Sequence, residues 1–150
     1  MVKRRLIDSI LNFINTCCFA GYVPFAPGTF ASLLAAALIF LFPAVFTNVL
    51  FTVLLVVFAV VCVNMHRYEG EDPGYVVIDE FAGMCVTMAG HRANLVDCAM
   101  GFVLFRVFDI LKPFPIKRVE RLKKGCGVVG DDVLAGIFAS AILFLLGRFI

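Results

Sequence analysis

The sequence predicts an all-α protein: a polytopic membrane helical bundle of four to five spans, with an interfacial N-terminal helix and a basic amphipathic helix. Three observations predict it. Apolar residues make up 62% of the chain and charged residues 16%, against about half and a quarter in soluble domains. The mean hydropathy is +1.00. The apolar residues fall into blocks close to the roughly 20 residues that a membrane crossing needs, so the chain reads as one membrane-embedded domain, 1–150. The net charge of +2 gives no reason to propose a nucleic-acid partner.

Each element follows from local punctuation. Residues 5–19 start after Lys3 and Arg4 and are broken by Asn12, Asn15 and Thr16, too polar and short for a span. They read as the interfacial helix; a secretory signal would show a cleaner apolar region and a small-residue cleavage site. Between Ser9 and His66 there is no Asp, Glu, Lys or Arg. Pro24, Pro27 and Gly28 divide this stretch, as does the turn at 43–48, leaving spans at 30–45 and 47–65. A shorter apolar helix is expected over 76–89, another over 94–111 and a last one over 132–150, where Gly136, Ala139 and Ser140 permit close helix approach. Segment 112–124 holds six basic residues and one acid, Glu120, with Ile116, Val119 and Leu122 at helical spacing. That is the pattern of an amphipathic helix lying on a bilayer.

Basic residues in short connections set orientation. Lys3, Arg4 and Arg5, and the basic segment 112–124, place both groups in the cytoplasm. Threading the chain under that constraint brings 21–29, 67–80 and 112–132 to the same face, with the turns near Pro43 and His91 opposite. His66 and His91 then lie on opposite sides and cannot act together. The run Glu69, Glu71 and Asp72 reads as a solvated loop.

That shared face collects unusual residues. Asp79 and Glu80, Asp109, and Asp131 with Asp132 come from three separate segments. Such a cluster repels itself unless neutralised, and a hard divalent cation relieves it; magnesium fits, since it binds a few carboxylates together with a substrate phosphate. Asp131, Asp132 and Asp79 are also placed to cap helices. Asp109, near a helix C-terminus, is not, because the dipole there disfavours a negative charge. Arg106 and Asp109 are three apart and share a helix face, either as a simple ion pair or with Arg106 holding a phosphate oxygen. Lys112 extends the same stripe. Thr29 and Ser32 follow a turn-rich loop at a helix start, where free N–H groups suit phosphate. Six cysteines show no CxxC spacing and read as small packing hydrophobes.

The segments GYVPFAPGTFAS (21–32), VVIDEFAGM (76–84) and GFVLFRVFDILKPFPIKRVERLKKGCGVVGDDVLAG (101–136) resemble, in order and spacing, those of the bacterial phosphatidylglycerophosphatase A family. Ala31 departs from it, where the family often has glycine. The resemblance implies a Mg2+-dependent lipid phosphatase of the bacterial cytoplasmic membrane, multi-pass and with its site facing the cytoplasm, converting phosphatidylglycerophosphate to phosphatidylglycerol and phosphate. Asp79, Glu80, Asp109, Asp131 and Asp132 would then hold metal, with Asp79, Glu80, Asp109 and Asp132 also catalytic. Arg106, Lys112, Thr29 and Ser32 would bind the anionic phospholipid substrate. Two alternatives are a CDP-alcohol transferase, whose DGxxAR signature is absent, and a cation transporter, which would spread its acids through the bilayer depth.

Overall fold

Prolines and asparagines set the helix boundaries. The structure is a computed structural model that describes residues 2–66, 74–122 and 125–148, with side chains from residue 5. The chain runs through α1 (Val2–Asn15), a 3-10 turn (Ala20–Tyr22), α2 (Pro27–Leu41), α3 (Pro43–Phe46), α4 (Val49–Met65), α5 (Ile78–Met88), α6 (Leu95–Leu111), α7 (Ile116–Val119) and α8 (Gly125–Leu146). There is no strand among the described residues. Pro27 and Pro43 stand in the first turns of α2 and α3, where a missing N–H costs nothing. Asn48 and Asn94 cap α4 and α6 by accepting from Phe51 N and Asp97 N.

α5 is the hub, packed against α8, α2, α4 and α6. Nearly all of it is buried, from Ile78 and Asp79 to Thr87 and Met88. A Cβ on Gly136 would stand 2.5 Å from Gly83 O, and one on Gly83 would stand 2.9 Å from Asp132 O. α5 and α8 therefore touch backbone to backbone through two glycines, a spacing no larger residue allows. Further along, Phe105, Met88 and Leu143 join Ala135 and Ala139 in the apolar core.

The N-terminal segment is a helix with Leu6, Ile7, Ile10 and Phe13 exposed, and its C-terminal end is built into the bundle. α1 ends at Asn15, and Cys17, Cys18 and Phe19 follow with positive φ, turning the chain back over the bundle. Asn15 and Thr16, whose polarity argues against a span, are fully buried. The Asn15 amide donates to Cys62 O (3.3 Å) and to His66 Nδ1 (3.0 Å), and Asn15 O accepts from Val77 N (2.8 Å). It ties α1 to the end of α4 and the start of α5.

Three expectations change. α5 has 11 residues, roughly 16 Å of helix, about half a bilayer core. α8 begins at Gly125, not at 132, so Asp131 and Asp132 lie inside the helix and do not cap it. The basic segment forms only the single turn of α7: Pro113 and Pro115 interrupt helical bonding, and a Cβ on Gly127 would stand 2.2 Å from Leu122 O, so the chain folds directly back onto α8. Glu69, Glu71, Asp72, Lys123 and Lys124 lie outside the described residues.

α8 is long and apolar enough to cross a membrane, while α2 and α4 are shorter apolar helices. Leu33, Leu50, Leu54, Val57, Ile137 and Phe144 point outward, an apolar exterior that marks a lipid or protein contact surface. Gly136→Ala should lower stability by about 1–3 kcal/mol through overpacking, read as a reduced unfolding temperature in detergent; an unchanged temperature would show that α5 and α8 do not meet at these glycines.

Candidate active site at one end of the bundle

α5 and α8 run parallel, and Asp79 and Asp132 each precede a contact glycine by four residues, one turn on the same face. The glycine contact thus sets Asp79, Glu80 and Asp132 side by side. Each offers a carboxylate oxygen, and the three oxygens lie within 4.8 Å of one another. Asp79 and Asp132 are buried. Glu80 Oε2 is buried and has no hydrogen-bond partner among the described residues. An all-oxygen donor set with a spare buried oxygen suits a hard divalent cation.

α2 closes one side of this cluster. A Cβ on Gly28 would stand 1.9 Å from Glu80 Oε1, so the first turn of α2 rests directly on the carboxylate. The helix start, with its positive dipole end, faces the acids. Thr29 is half-buried in this turn. Ser32 is buried and its Oγ donates to Gly28 O (2.8 Å).

α6 supplies the cation nearest the cluster. Arg106 Nη1 pairs with Asp109 Oδ2 at 2.6 Å and reaches Ser32 Oγ at 3.5 Å. Arg106 Nε is buried without a hydrogen-bond partner among the described residues. Asp109 also lies within hydrogen-bonding reach of Asp132. The intrahelical pair and the position beside the acids are therefore both present.

Lys112 turns elsewhere. In the left-handed conformation at the end of α6, it donates through Nζ to Asp131 Oδ2 (2.6 Å) and Glu120 Oε1 (2.7 Å). Asp131 in turn accepts from Asp132 N (3.1 Å). The structure thus groups Asp79, Glu80 and Asp132, sets Asp109 with Arg106 at their edge, and engages Asp131 and Lys112 with each other. Burial pulls the Lys112 pKa down, but the hydrogen bonds to Asp131 and Glu120 outweigh it and raise the value above the lysine norm.

Asn15 and Gly28, legible in the sequence only as a break and a helix start, make contacts the sequence does not foretell. The signal for Asn15 was present as an amide in an otherwise apolar segment; nothing in the sequence links Gly28 to Glu80. The Cys17 thiol is pushed up to about 12, by burial first and then by the Glu80 and Cys18 charges. No thiolate nucleophile stands there. His91 lies at the other end, its Nε2 2.9 Å from Ser140 Oγ.

Fold and site define an all-helical protein with an apolar exterior and a recessed acidic centre flanked by an arginine. Comparison with known proteins gives the family. The phosphatidylglycerophosphatase A family model matches residues 13–147, and the chain belongs to that family of phosphoric monoester hydrolases. It is 34% identical to phosphatidylglycerophosphatase A of Escherichia coli (86% of this chain, 78% of that protein). It is 33% identical to that of Haemophilus influenzae (91% and 90%). It is 39% identical to a Bacteroides thetaiotaomicron protein named "Putative phosphatidylinositol-3-phosphatase" (91% and 92%). No solved structure matches.

The raised Lys112 pKa fixes a sign. A cation whose pKa is higher folded than unfolded contributes fully below the unfolded value, loses that contribution progressively between the two values, and has none above the folded one. Lys112→Met should cost about 1–3 kcal/mol at neutral pH. The gap in unfolding temperature between variant and wild type should persist through the ordinary lysine range; closure by about pH 9 would contradict the Lys112 pairing.

Proposed function

We propose that this chain is a Mg2+-dependent lipid phosphatase that hydrolyses phosphatidylglycerophosphate to phosphatidylglycerol and inorganic phosphate. In this reading, residues 1–150 form a single domain in the bacterial cytoplasmic membrane with four to five crossings, and the acidic end faces the cytoplasm. The observation that carries it is the convergence of Asp79, Glu80 and Asp132 within 4.8 Å, beside an arginine, in a member of this family.

Asp79, Glu80 and Asp132 would hold the magnesium ion, with Asp109 and Asp131 at its margin. When bound, the ion supplies charge neutralisation and Lewis-acid polarisation of the phosphoryl group. The chain's own residues do the rest. Arg106, braced by Asp109 and Ser32, binds non-bridging phosphate oxygens with its planar fork. The Gly28 N–H at the start of α2, where Thr29 N and Phe30 N already donate to Ala26 O, and the Thr29 hydroxyl donate to another oxygen. A water oxygen forms the new bond to phosphorus as the bond to the glycerol oxygen breaks. An acid of the cluster takes the water's proton, and the departing glycerol oxygen gains one. Lys112 contributes by fixing Asp131, next to Asp132 in α8.

A phosphoinositide monoester is the second reading, favoured by the Bacteroides relative and its name. Phosphate release should be measured on phosphatidylglycerophosphate and phosphatidylinositol 3-phosphate in mixed micelles, with magnesium and with chelator. Turnover of the first substrate should be the faster and should vanish on chelation. Glu80→Gln and Asp132→Asn should each lower kcat at least about a hundredfold, ~2.7 kcal/mol of barrier. Near-normal turnover in both variants would remove the cluster from the mechanism.

A further inference from the structure

Beyond the acid cluster, the same end of the bundle carries a second polar feature, whose Lys117, Arg118 and Arg121 the mechanism does not use. A cavity of about 230 Å3 is lined by Lys112, Phe114, Lys117, Arg118 and Arg121. The Lys112 ammonium is already held by Asp131 and Glu120. Lys117, Arg118 and Arg121 are exposed, and none of them makes a salt bridge among the described residues. The Arg118 guanidinium lies over the Phe114 ring, 4.8 Å from its centroid, a cation–π contact between two lining residues. The two acids nearby, Glu120 and Asp131, are both engaged by Lys112.

The flanks of this cavity are apolar. Phe114 and Leu111 are each 72% exposed, and Ile110 and Leu122 are exposed as well. Cations and bare apolar side chains on one surface fit the boundary of a bilayer, where acyl chains meet phosphates. An acidic soluble partner would complement the charges and leave Phe114, Leu111 and Ile110 in water.

We propose that this cavity is a docking site for the phosphodiester headgroup of an anionic membrane phospholipid, distinct from the acid cluster that takes the phosphomonoester. Lys117, Arg118 and Arg121 grip the phosphate, while Phe114 and Leu122 lie among the first acyl carbons. The site communicates with the cluster through Lys112, which lines the cavity and holds Asp131 beside Asp132. An occupied cavity stabilises that lysine's position and raises turnover. This activating role rests on the lipid-phosphatase reading; the binding does not.

The test uses the full chain in neutral detergent with equal amounts of phosphatidylglycerol and phosphatidylcholine as probes. Lipid retained after gel filtration is quantified by mass spectrometry. Wild type should retain the anionic lipid about tenfold over the zwitterionic one at about 50 mM NaCl and approach parity at about 500 mM, as screening dictates. The Lys117→Gln, Arg118→Gln, Arg121→Gln triple variant should stand near parity at both. A wild type at parity in low salt overturns the proposal without any variant, and so does a folded triple variant that keeps the preference. In the activity arm, adding phosphatidylglycerol to neutral micelles of substrate should raise wild-type turnover several-fold and leave the triple variant unchanged. Equal activation of both removes the activating role. Selective retention with no hydrolysis by either protein would sink the phosphatase reading and leave the docking site standing.

Discussion

The contact of two glycines holds the site together. Gly83 of α5 and Gly136 of α8 let two parallel helices meet without intervening side chains. Because Asp79 and Asp132 stand at the same four-residue offset from those glycines, the acids arrive at equal depth on facing surfaces. Any Cβ at either position would wedge the helices and move both carboxylates. The start of α5, whose first turn carries Asp79 and Glu80, and the start of α2 over Glu80 aim two positive dipole ends toward the acids. Backbone dipoles thus offset part of the repulsion among Asp79, Glu80 and Asp132 before any cation binds.

Charge pairing then sorts five carboxylates into two kinds. Asp109 is matched by Arg106 and Asp131 by Lys112. Asp79, Glu80 and Asp132 are grouped chiefly with one another. Removing ionised groups from water without compensation is costly, so the matched acids serve as framework and the grouped ones as a centre that calls for positive charge. The distinction explains why Lys112, though on the same sequence stripe as Arg106, has a different task. Its left-handed conformation swings it off the α6 face toward α8.

Much of this was legible in the chain. Proline and asparagine punctuation located α2 and α4 to within a few residues, because caps act locally. The charge rule brought the starts of α2, α5 and α8 and the end of α6 to one end, where the structure also has them. What stayed hidden depends on contacts between distant segments. The glycine-rich stretch 125–130 looks like a linker by composition, yet Gly125 packs against Val60 O and Gly127 against Leu122 O, so tertiary approach makes it the first two turns of α8. Asn15 looked like a defect in an apolar helix because its partners, Cys62, His66 and Val77, lie far along the chain. The amphipathic spacing of Ile116, Val119 and Leu122 was real, but Pro113 and Pro115 delay the helix to Ile116, and the close packing of Glu120 O and Leu122 O on Gly127 of α8 ends it after one turn.

The short length of α5 has a geometric consequence for any substrate. Asp132 is seven residues into α8, roughly 10 Å below the start of that helix. Arg106 is five residues from the end of α6, roughly 8 Å inward by the same rise. A helix of 11 residues surrounded by longer ones leaves its first turn below the start of α8 and the end of α6. Acids at a flush surface would be solvated and screened by salt; buried as Asp79 and Asp132 are, with the start of α2 against Glu80, they act on one another at lower effective dielectric. In the proposed reaction, a phosphomonoester at the end of a lipid headgroup would have to reach acids below the helix ends while its acyl chains stay against the apolar exterior, a depth that the half-length α5 sets.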